Sequence, residues 1–359
     1  MGATIVMIAP TTSQPRFHKR ALQLKSFCNV EVFAFSRGYY EVNTFPPELP
    51  FTSLGRVEDG KYGSRVINLA RAINTIRRRT KTLGNCYFYA MSLDCLVAAR
   101  LSGIKRGFYE VGDLRQAEGV GRFFAAPEQW LLKSISGFVL TSRYFFEDFY
   151  RHNPAISQDK IYVIDNKVHT ALRSQRPQDK SFSDERIIIG LVGLFRYQRP
   201  IELLLELAHA NPDKYLVECF GDGPLKGLIE SHVCENIRYH GAFKNPEELP
   251  EIYRKIHLNY VVYDSSSINV RLAIPNKVFE SAFFGVPIIC CENTAVGKMA
   301  EEWGIGRTVR IGNAQDFSED MGSMDFSWLK AKSRNCFKIA TEELIDDGAV
   351  VLERMLSAH

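Results

Sequence analysis

The stretch Ile187-Ile-Ile-Gly-Leu-Val-Gly193 decides the fold, because it is a short apolar run that ends in glycine just before a helical segment at 200–210. Such a run is typical of a buried parallel strand. Strand-like and helix-like segments alternate from here to about residue 290, and the same alternation fills residues 5–164. This alternation predicts parallel sheets with helices on both faces. We therefore predict an α/β chain of two doubly wound, Rossmann-like domains.

The 359 residues suit two domains of ordinary size. The polar stretch 171–186 has the composition of a linker. We predict a first domain over 1–170, this linker, and a second domain over 187–333, with a last helix within about 334–359 that packs back on the first domain. The two domains are expected to face a central cleft lined by the carboxyl ends of their strands.

Charge is unevenly distributed along the chain. The net charge is +4, but residues 1–168 carry 23 Lys and Arg against 14 Asp and Glu. The densest basic point is Arg77, Arg78, Arg79 and Lys81, which is either a contact for an anionic membrane surface or a solvated helix face. No zinc finger or helix-turn-helix pattern occurs, so a nucleic-acid partner is not expected.

The location of the protein is also indicated by composition. No apolar run reaches the roughly 18 residues that span a bilayer, and no signal peptide is recognised at the start. Eight cysteines without Cys-x-x-Cys spacing indicate reduced thiols. We expect a cytoplasmic protein, with contact to the inner face of the cell membrane as a further hypothesis.

Glycines and arginines follow the strand at 187–193. Gly193 allows a ligand to approach the backbone, and Arg196 and Arg199 stand where guanidinium groups pair with phosphate oxygens. The alternative is an ordinary strand–helix turn with solvent-facing arginines. Gly221 and Gly223 follow the next strand. They are compatible with a ligand that lies over the turn, but a turn also needs glycine for its own backbone conformation.

The segment from Ile274 to Ile289 begins a helix with Pro275 and Asn276. Free N–H groups at a helix start bind phosphate. Lys277 lies in the first turn, where a cation opposes the helix dipole unless an anion binds there. Glu280 lies one turn further on, where its carboxylate can accept both hydroxyls of a ribose or form a salt bridge with Lys277.

Taken together, these segments resemble the donor domain of family-four GT-B glycosyltransferases (glycosyl transferases group 1), and most closely the members that build capsules and surface polysaccharides. The resemblance implies a GT-B fold and retaining transfer of a sugar from a UDP- or GDP-linked donor to a polysaccharide or lipid-linked saccharide acceptor. It implies that Arg196 and Arg199 neutralise the donor diphosphate, that Asn276 and Lys277 contact the phosphates, and that Glu280 holds the ribose.

One further segment of the family pattern is present in this sequence, and one residue of the pattern is replaced. The segment His240-Gly-Ala-Phe243 would lie near the base. Leu272 stands where many members have a second glutamate that contacts the donor sugar, and the polar loop 264–271 is the nearest replacement. The identity of the donor sugar is therefore left open.

In the first domain, Glu110-Val-Gly-Asp113 resembles the family segment Glu-Ile/Val-His-Asp, with Gly112 at the histidine position. Glu110 and Asp113 are candidates to orient or deprotonate the acceptor hydroxyl. The alternatives are an ion pair of Glu110 with Arg115 and a helix cap for Asp113.

Four basic residues form the candidate acceptor side. Arg16, His18 and Lys19 follow the first strand, and Arg115 follows the Glu110 segment, so all are expected at the carboxyl edge of the first sheet. This group is suited to an acceptor diphosphate. Each member taken alone is also compatible with an ordinary helix-surface charge.

The sequence contains neither an Asp-x-Asp pair nor a His-Glu-x-x-His motif. No metal and no other cofactor is therefore expected, and Arg and Lys would replace Mg²⁺ as the countercharge of the leaving diphosphate. Two alternatives stay open, namely a nucleotide-sugar epimerase and a non-catalytic partner that only binds a nucleotide sugar.

Overall fold

The computed structural model describes residues 4–12, 14–36, 45, 48–56, 62–114, 125–182 and 185–359. The chain divides into two compact units, Met1–Asp165 with Asp347–His359, and Asn166–Asp346. No described helix has both the length and the apolar character that a membrane span requires.

The first unit is a parallel sheet with flanking helices. Its strands are β1 Thr4–Ala9, β2 Asn29–Ser36, β3 Phe51–Arg56, β4 Cys86–Ala90, β5 Gly107–Val111, β6 Gly137–Leu140 and β7 Ile161–Val163. Its helices are α1 Pro15–Lys25, α2 Tyr62–Thr80, α3 Leu93–Leu101, α4 Ala125–Leu132 and α5 Arg143–Phe145, the last continued by a π-helical turn Phe146–Tyr150. The strand order is β3-β2-β1-β4-β5-β6-β7, the order of a doubly wound sheet.

The core of the first unit follows from apolar periodicity. β1 is buried on both faces, as a central parallel strand must be. α1 buries Phe17, Ala21 and Leu24, which recur at helical spacing on one face. Leu352 and Met355, from the end of the chain, belong to the same core.

The second unit repeats this plan. Its strands are β8 Ile187–Leu194, β9 Tyr215–Asp222, β10 Ile237–Tyr239, β11 Leu258–Val261, β12 Ile288–Cys291 and β13 Gly306–Val309. Its helices are α6 Gln198–Ala210, α7 Lys226–Glu230, α8 Leu249–Lys255, α9 Ile268–Leu272, α10 Asn276–Phe283, α11 Ala295–Glu302, α12 Ala314–Gly322, α13 Phe326–Lys338 and α14 Thr341–Leu344. The order β10-β9-β8-β11-β12-β13 is again parallel and doubly wound, which confirms the predicted α/β class.

The segment predicted as a linker, 171–186, lies inside the second unit. Arg176 donates hydrogen bonds to the carbonyl oxygens of Cys336 and Ile339 at 3.1 and 2.8 Å. Lys180 donates to the carbonyl oxygens of Tyr253 and Arg254 at 2.6 and 2.7 Å. Two polar side chains thus fix a stretch whose composition alone is typical of a free connection.

The end of the chain differs from the single helix predicted over about 334–356. The backbone becomes extended at Ile339 and Ala340, which ends α13 and separates it from α14. A further helix, α15 Gly348–Ser357, packs against α1 and β7. Only the residues from Asp347 onward lie with the first unit.

Candidate functional site

Two glycine turns end the central strands of the second unit. Gly193 and Gly221 are register partners, with φ of 116° and 147°. A Cβ atom on Gly221 would stand 1.8 Å from the carbonyl oxygen of Gly193, and one on Gly223 would stand 2.6 Å from that of Phe195. Only glycine fits this contact of backbone with backbone. The carboxyl ends of β8 and β9 therefore present bare peptide groups.

The start of α10 faces this turn. Pro275, its N-cap, makes no side-chain capping hydrogen bond, and the first turn contains no acidic residue. Lys277 is 8% exposed, and its Cε atom would lie 3.1 Å from a Cβ atom on Gly193. The N–H groups at a helix start, a buried cation and a glycine turn thus come together, which is the chemistry of a phosphate site.

Glu280 is the centre of a buried polar network. Its Oε2 atom accepts hydrogen bonds from Lys277 Nζ at 3.1 Å and from the Tyr253 hydroxyl at 2.8 Å, and its Oε1 atom accepts from the Asn276 amide. Glu280 is 3% exposed. The predicted salt bridge with Lys277 is present, and it satisfies a carboxylate that burial would otherwise disfavour. The ribose-binding role stays a prediction.

Sequence reasoning missed two members of this network. Asn259 is fully buried in β11 and donates to the Tyr253 hydroxyl at 3.2 Å and to Ser281 Oγ at 2.7 Å. Burial, followed by the charge of Glu280, raises the pKa of Tyr253 well above its ordinary value, so its hydroxyl stays a donor. The available signal was a lone asparagine in the apolar strand Leu258–Val261.

The two arginines of the first turn differ in their surroundings. Arg196 is exposed, lies 4.8 Å over the Tyr197 ring, and acts electrostatically on the half-buried Tyr263. Arg199 forms ion pairs with Glu206 at 3.3 Å and Glu202 at 3.9 Å, all on α6. Arg196 thus stays available beside the glycine turn, whereas Arg199 is engaged along its own helix.

The predicted base region contains a stacked pair. The His240 ring lies 4.4 Å from the Phe220 ring at an interplanar angle of 9°, and its Nε2 atom is hydrogen bonded to Glu218. The carbonyl oxygen of Gly241 accepts from Gly221 N at 2.7 Å, so this segment joins the second glycine turn. The 264–271 loop ends in α9, where Arg271 donates to the Ser265 carbonyl oxygen.

The first unit carries a second cluster. Glu110 is 1% exposed and accepts from Arg20 Nε at 2.7 Å and from the Tyr89 hydroxyl at 2.5 Å. Burial pushes the pKa of Glu110 upward, but the charges of Arg20 and Arg16 outweigh it and hold that pKa below its ordinary value. This ionised, paired carboxylate is poorly suited to accept a proton from a substrate.

The other predicted site residues of the first unit differ in their surroundings. Asp113 is exposed after β5, and it has a polar partner. His18 Nε2 lies 2.6 Å from the Thr12 carbonyl oxygen, and Lys19 is half-buried. Arg16 lies against Gly112, where a Cβ atom would stand 1.8 Å from Arg16 Nη1. Arg115 lies outside the described residues.

Within the described part of the chain, no three His, Cys, Asp or Glu side chains are grouped as metal ligands. The second unit instead offers cations and peptide N–H groups. Such a set suits a ligand that carries its own negative charge.

Comparison with solved structures identifies the fold as GT-B. The sucrose-phosphate synthase of Thermosynechococcus elongatus superposes with a TM-score of 0.72 at 14% identity, covering 99% of each chain. Anabaena HepE in complex with UDP and glucose superposes with a TM-score of 0.67 at 14% identity, covering 99% of this chain and 98% of that one. A putative UDP-N-acetylglucosamine 2-epimerase from Listeria monocytogenes also shares the fold, with a TM-score of 0.63, 14% identity, and coverage of 99% and 95%. The predicted GT-B fold is confirmed.

A relative is also found by sequence. The chain is 23% identical over 379 aligned positions to the succinoglycan biosynthesis protein ExoL of Rhizobium meliloti, covering 98% of this chain and 90% of ExoL. No protein-family model matches the chain. The role of ExoL in succinoglycan biosynthesis agrees with the resemblance to surface-polysaccharide proteins that the motifs indicate.

Proposed function

We propose that this chain is a glycosyltransferase that moves a sugar from a nucleotide-sugar donor onto a saccharide or lipid-linked acceptor in surface-polysaccharide synthesis. The observation that carries the proposal is the cluster at the start of α10, where Asn276 and Lys277 meet Glu280 beside Gly193. Anabaena HepE binds UDP on the same fold, and ExoL acts in synthesis of a polysaccharide. Both likenesses support a nucleotide-sugar donor and a polysaccharide pathway.

Different residues of the site would bind different parts of the donor. The N–H groups at the start of α10 and the Lys277 ammonium would hold the diphosphate, and Arg196 would approach it from the first glycine turn. The ribose hydroxyls would donate hydrogen bonds to the Glu280 carboxylate, replacing one that Asn276 or Lys277 now donates. In this arrangement the network under Glu280, formed by Tyr253 and Asn259, keeps the carboxylate in position.

In the transfer step, the bond from the sugar anomeric carbon to the phosphate oxygen breaks and its electron pair leaves with the nucleoside diphosphate. The acceptor oxygen forms the new bond to that carbon, and its proton goes to the departing phosphate. Lys277 and Arg196 stabilise the charge that develops on the leaving group. We propose that the reaction needs no metal, because these cations supply the countercharge, and that it retains configuration, as the resemblance to family-four GT-B glycosyltransferases implies.

The first test is a thermal-shift screen against UDP, GDP, CDP and ADP, with Mg²⁺ and with a chelator. A ligand that binds only the folded state raises the unfolding midpoint. We expect one nucleotide to raise it equally in both conditions. No shift with any nucleotide at millimolar concentration would argue against the proposed donor site, and a shift only with Mg²⁺ would refute metal independence.

A second test separates transfer from the two alternatives. The nucleotide sugar matching the bound nucleotide is incubated with the protein and followed by NMR, which distinguishes a transferred or hydrolysed sugar of defined anomeric configuration from an epimerised donor. Release of the α-configured sugar from an α-linked donor is expected. Appearance of an epimer instead would identify the epimerase, and an unchanged donor in the presence of candidate acceptors would favour the non-catalytic partner.

We also propose contact with the inner face of the cell membrane through the end of α2. Arg78 and Lys81 are exposed there, whereas Arg79 pairs with Glu31 at 2.6 Å and Arg77 donates to the Leu101 carbonyl oxygen. We expect the protein to sediment with vesicles containing phosphatidylglycerol and not with pure phosphatidylcholine. If the wild type and the Arg78→Glu/Lys81→Glu variant sediment equally with these vesicles, the proposed membrane contact is wrong.

A further inference from the structure

The start of α1 has the properties of an anion site. Gln14, its N-cap, makes no side-chain capping hydrogen bond, Pro15 lies in the first turn, and that turn contains no acidic residue. Pro15 has no N–H group and Phe17 N donates to the Gln14 carbonyl oxygen at 3.0 Å, so the first turn offers a ligand little more than the Arg16 N–H group. The case therefore depends on the side chains around it.

Thr12 is the first of these side chains. It is 1% exposed, and its Oγ1 atom is buried with no hydrogen-bond partner in the described structure. The contact of its carbonyl oxygen with His18 Nε2 at 2.6 Å holds Thr12 against the first turns of α1. A buried hydroxyl without a partner is unfavourable. A polar ligand that binds at the helix start can therefore form a hydrogen bond with the Thr12 hydroxyl without breaking an existing one.

Arg16 is the second side chain. Its Nε atom is also buried without a partner. A Cβ atom on Gly112 would stand 1.8 Å from Nη1 and 2.2 Å from both Cζ and Nη2 of Arg16. The missing side chain at Gly112 therefore makes the space that the Arg16 guanidinium occupies. Arg16, on α1, therefore packs against the carboxyl end of β5.

Two guanidinium groups of this cluster lie near one buried carboxylate. Glu110 lies within electrostatic reach of both Arg16 and Arg20. Arg20 already engages this carboxylate, with Nε at 2.7 Å and Nη2 at 3.4 Å from its two oxygens. Glu110 therefore faces two guanidinium groups, of which that of Arg20 is buried and that of Arg16 is half-buried. Such a pair of cations attracts an anion.

From these observations we infer that Thr12, Arg16 and the start of α1 bind an anionic oxygen group of the acceptor, either a phosphate or a carboxylate. The inference rests on the proposed function in one respect, namely that the chain has an acceptor. The donor diphosphate is assigned to α10, on the other unit. This site therefore requires an acceptor that is itself charged, such as a diphosphate-linked or acidic saccharide.

The test is a calorimetric titration of the whole chain with inorganic pyrophosphate and, separately, with glucuronate, at a saturating concentration of the bound nucleotide. Binding of one of them is expected. Arg16→Gln and Thr12→Val should each weaken it at least tenfold, and Gly112→Ala should do the same by displacing Arg16. The matched controls are Arg151→Gln, an exposed arginine that follows the π-helical turn Phe146–Tyr150, and Gly227→Ala, where a Cβ atom would meet nothing within 4 Å. Binding of pyrophosphate alone identifies a phosphate-bearing acceptor, and binding of glucuronate alone identifies an acidic saccharide.

The unfolding midpoint without ligand shows whether the Arg16 and Thr12 variants are folded, and we expect it to be unchanged or higher for Arg16→Gln. Three results would overturn the inference: no binding of either anion by the wild type, equal binding by Arg16→Gln, or loss of binding when nucleotide is added. The last would assign the cluster to the donor. A failure of every nucleotide to bind would count against the proposed function alone, because the anion titration without nucleotide still decides this site.

Discussion

The Nζ atom of Lys277 lies 3.1 Å from the Oε2 atom of Glu280, and both side chains are under 10% exposed. The pair joins the helix start that would hold a diphosphate to the carboxylate that would hold a ribose. Removing either charge leaves the other buried and unpaired, a change that typically costs about 3–5 kcal/mol. Stability and donor binding are therefore coupled at these two residues.

Glu280→Gln should weaken binding of the donor nucleotide at least tenfold, or about 1.4 kcal/mol, because a neutral amide is a weaker acceptor for ribose hydroxyls. The affinity is measured by calorimetry below the unfolding midpoint of the variant. Glu206→Gln, an exposed glutamate paired with Arg199, is the matched control. Nucleotide affinity unchanged in Glu280→Gln would show that α10 does not hold the donor.

Arg196→Ala should lower kcat by about 100-fold with a small change in KM, because its cation would act mainly on the departing diphosphate. Arg199→Ala should have a much smaller effect, since Arg199 is engaged by Glu206. Steady-state kinetics of the two variants make the comparison. Equal losses in both would mean that the ion pairs of α6 open when donor binds.

Tyr253→Phe should raise the donor KM and lower the free energy of unfolding by about 1–3 kcal/mol, because Glu280 and Asn259 both lose a buried partner. Tyr215→Phe is the control, as it removes a buried hydroxyl that bonds the Met321 carbonyl oxygen, in a different part of the second unit. Only the Tyr253 variant should change KM. A KM change of similar size in Tyr215→Phe would reveal a general effect of destabilisation.

Gly221→Ala should destabilise the second unit strongly, since the added Cβ atom meets the Gly193 carbonyl oxygen and the residue has φ of 147°. The unfavourable backbone conformation alone costs about 1–3 kcal/mol. Urea unfolding compares it with Gly227→Ala, which has open space. Similar midpoints for the two variants would contradict the close packing of the glycine turns.

Glu110→Gln should lower stability at neutral pH and have little effect in acid. The folded-state pKa of Glu110 lies below the ordinary value of 4.5, so its contribution is present above about that pH and is lost as pH falls through the folded-state pKa. Urea unfolding of both proteins from pH 7 downward gives the difference. A difference that stays constant below pH 4 would mean that another group titrates there.

The sequence predicts the parts of this molecule that depend on neighbours along the chain. Apolar runs followed by glycine indicate the central strands, and residues 276, 277 and 280 share a helix turn, so their contact follows from spacing. The network below them was not predictable in this way. Tyr253, Asn259 and Glu280 come from three different elements, and only the folded sheet brings them together.

The first unit illustrates the same limit. An ion pair with Arg115, five residues away, was one alternative for Glu110, and Arg115 lies outside the described residues; the structure shows that Glu110 pairs with Arg20, ninety residues away. The contact of Gly112 with Arg16 likewise joins β5 to α1. Side-chain identity shows that charges are present, but their pairing is decided by strand order.

The chain passes from the first unit to the second at Asp165 and returns at Asp347, with α15 as the final piece of the first core. During synthesis, Leu352 and Met355 emerge after every residue of the second unit. The residues of the second unit therefore emerge while the core of the first unit still lacks the helix that packs against α1. The unit whose synthesis starts first is therefore the last to complete its core. We expect chaperones to bind this protein mainly through the incomplete first unit.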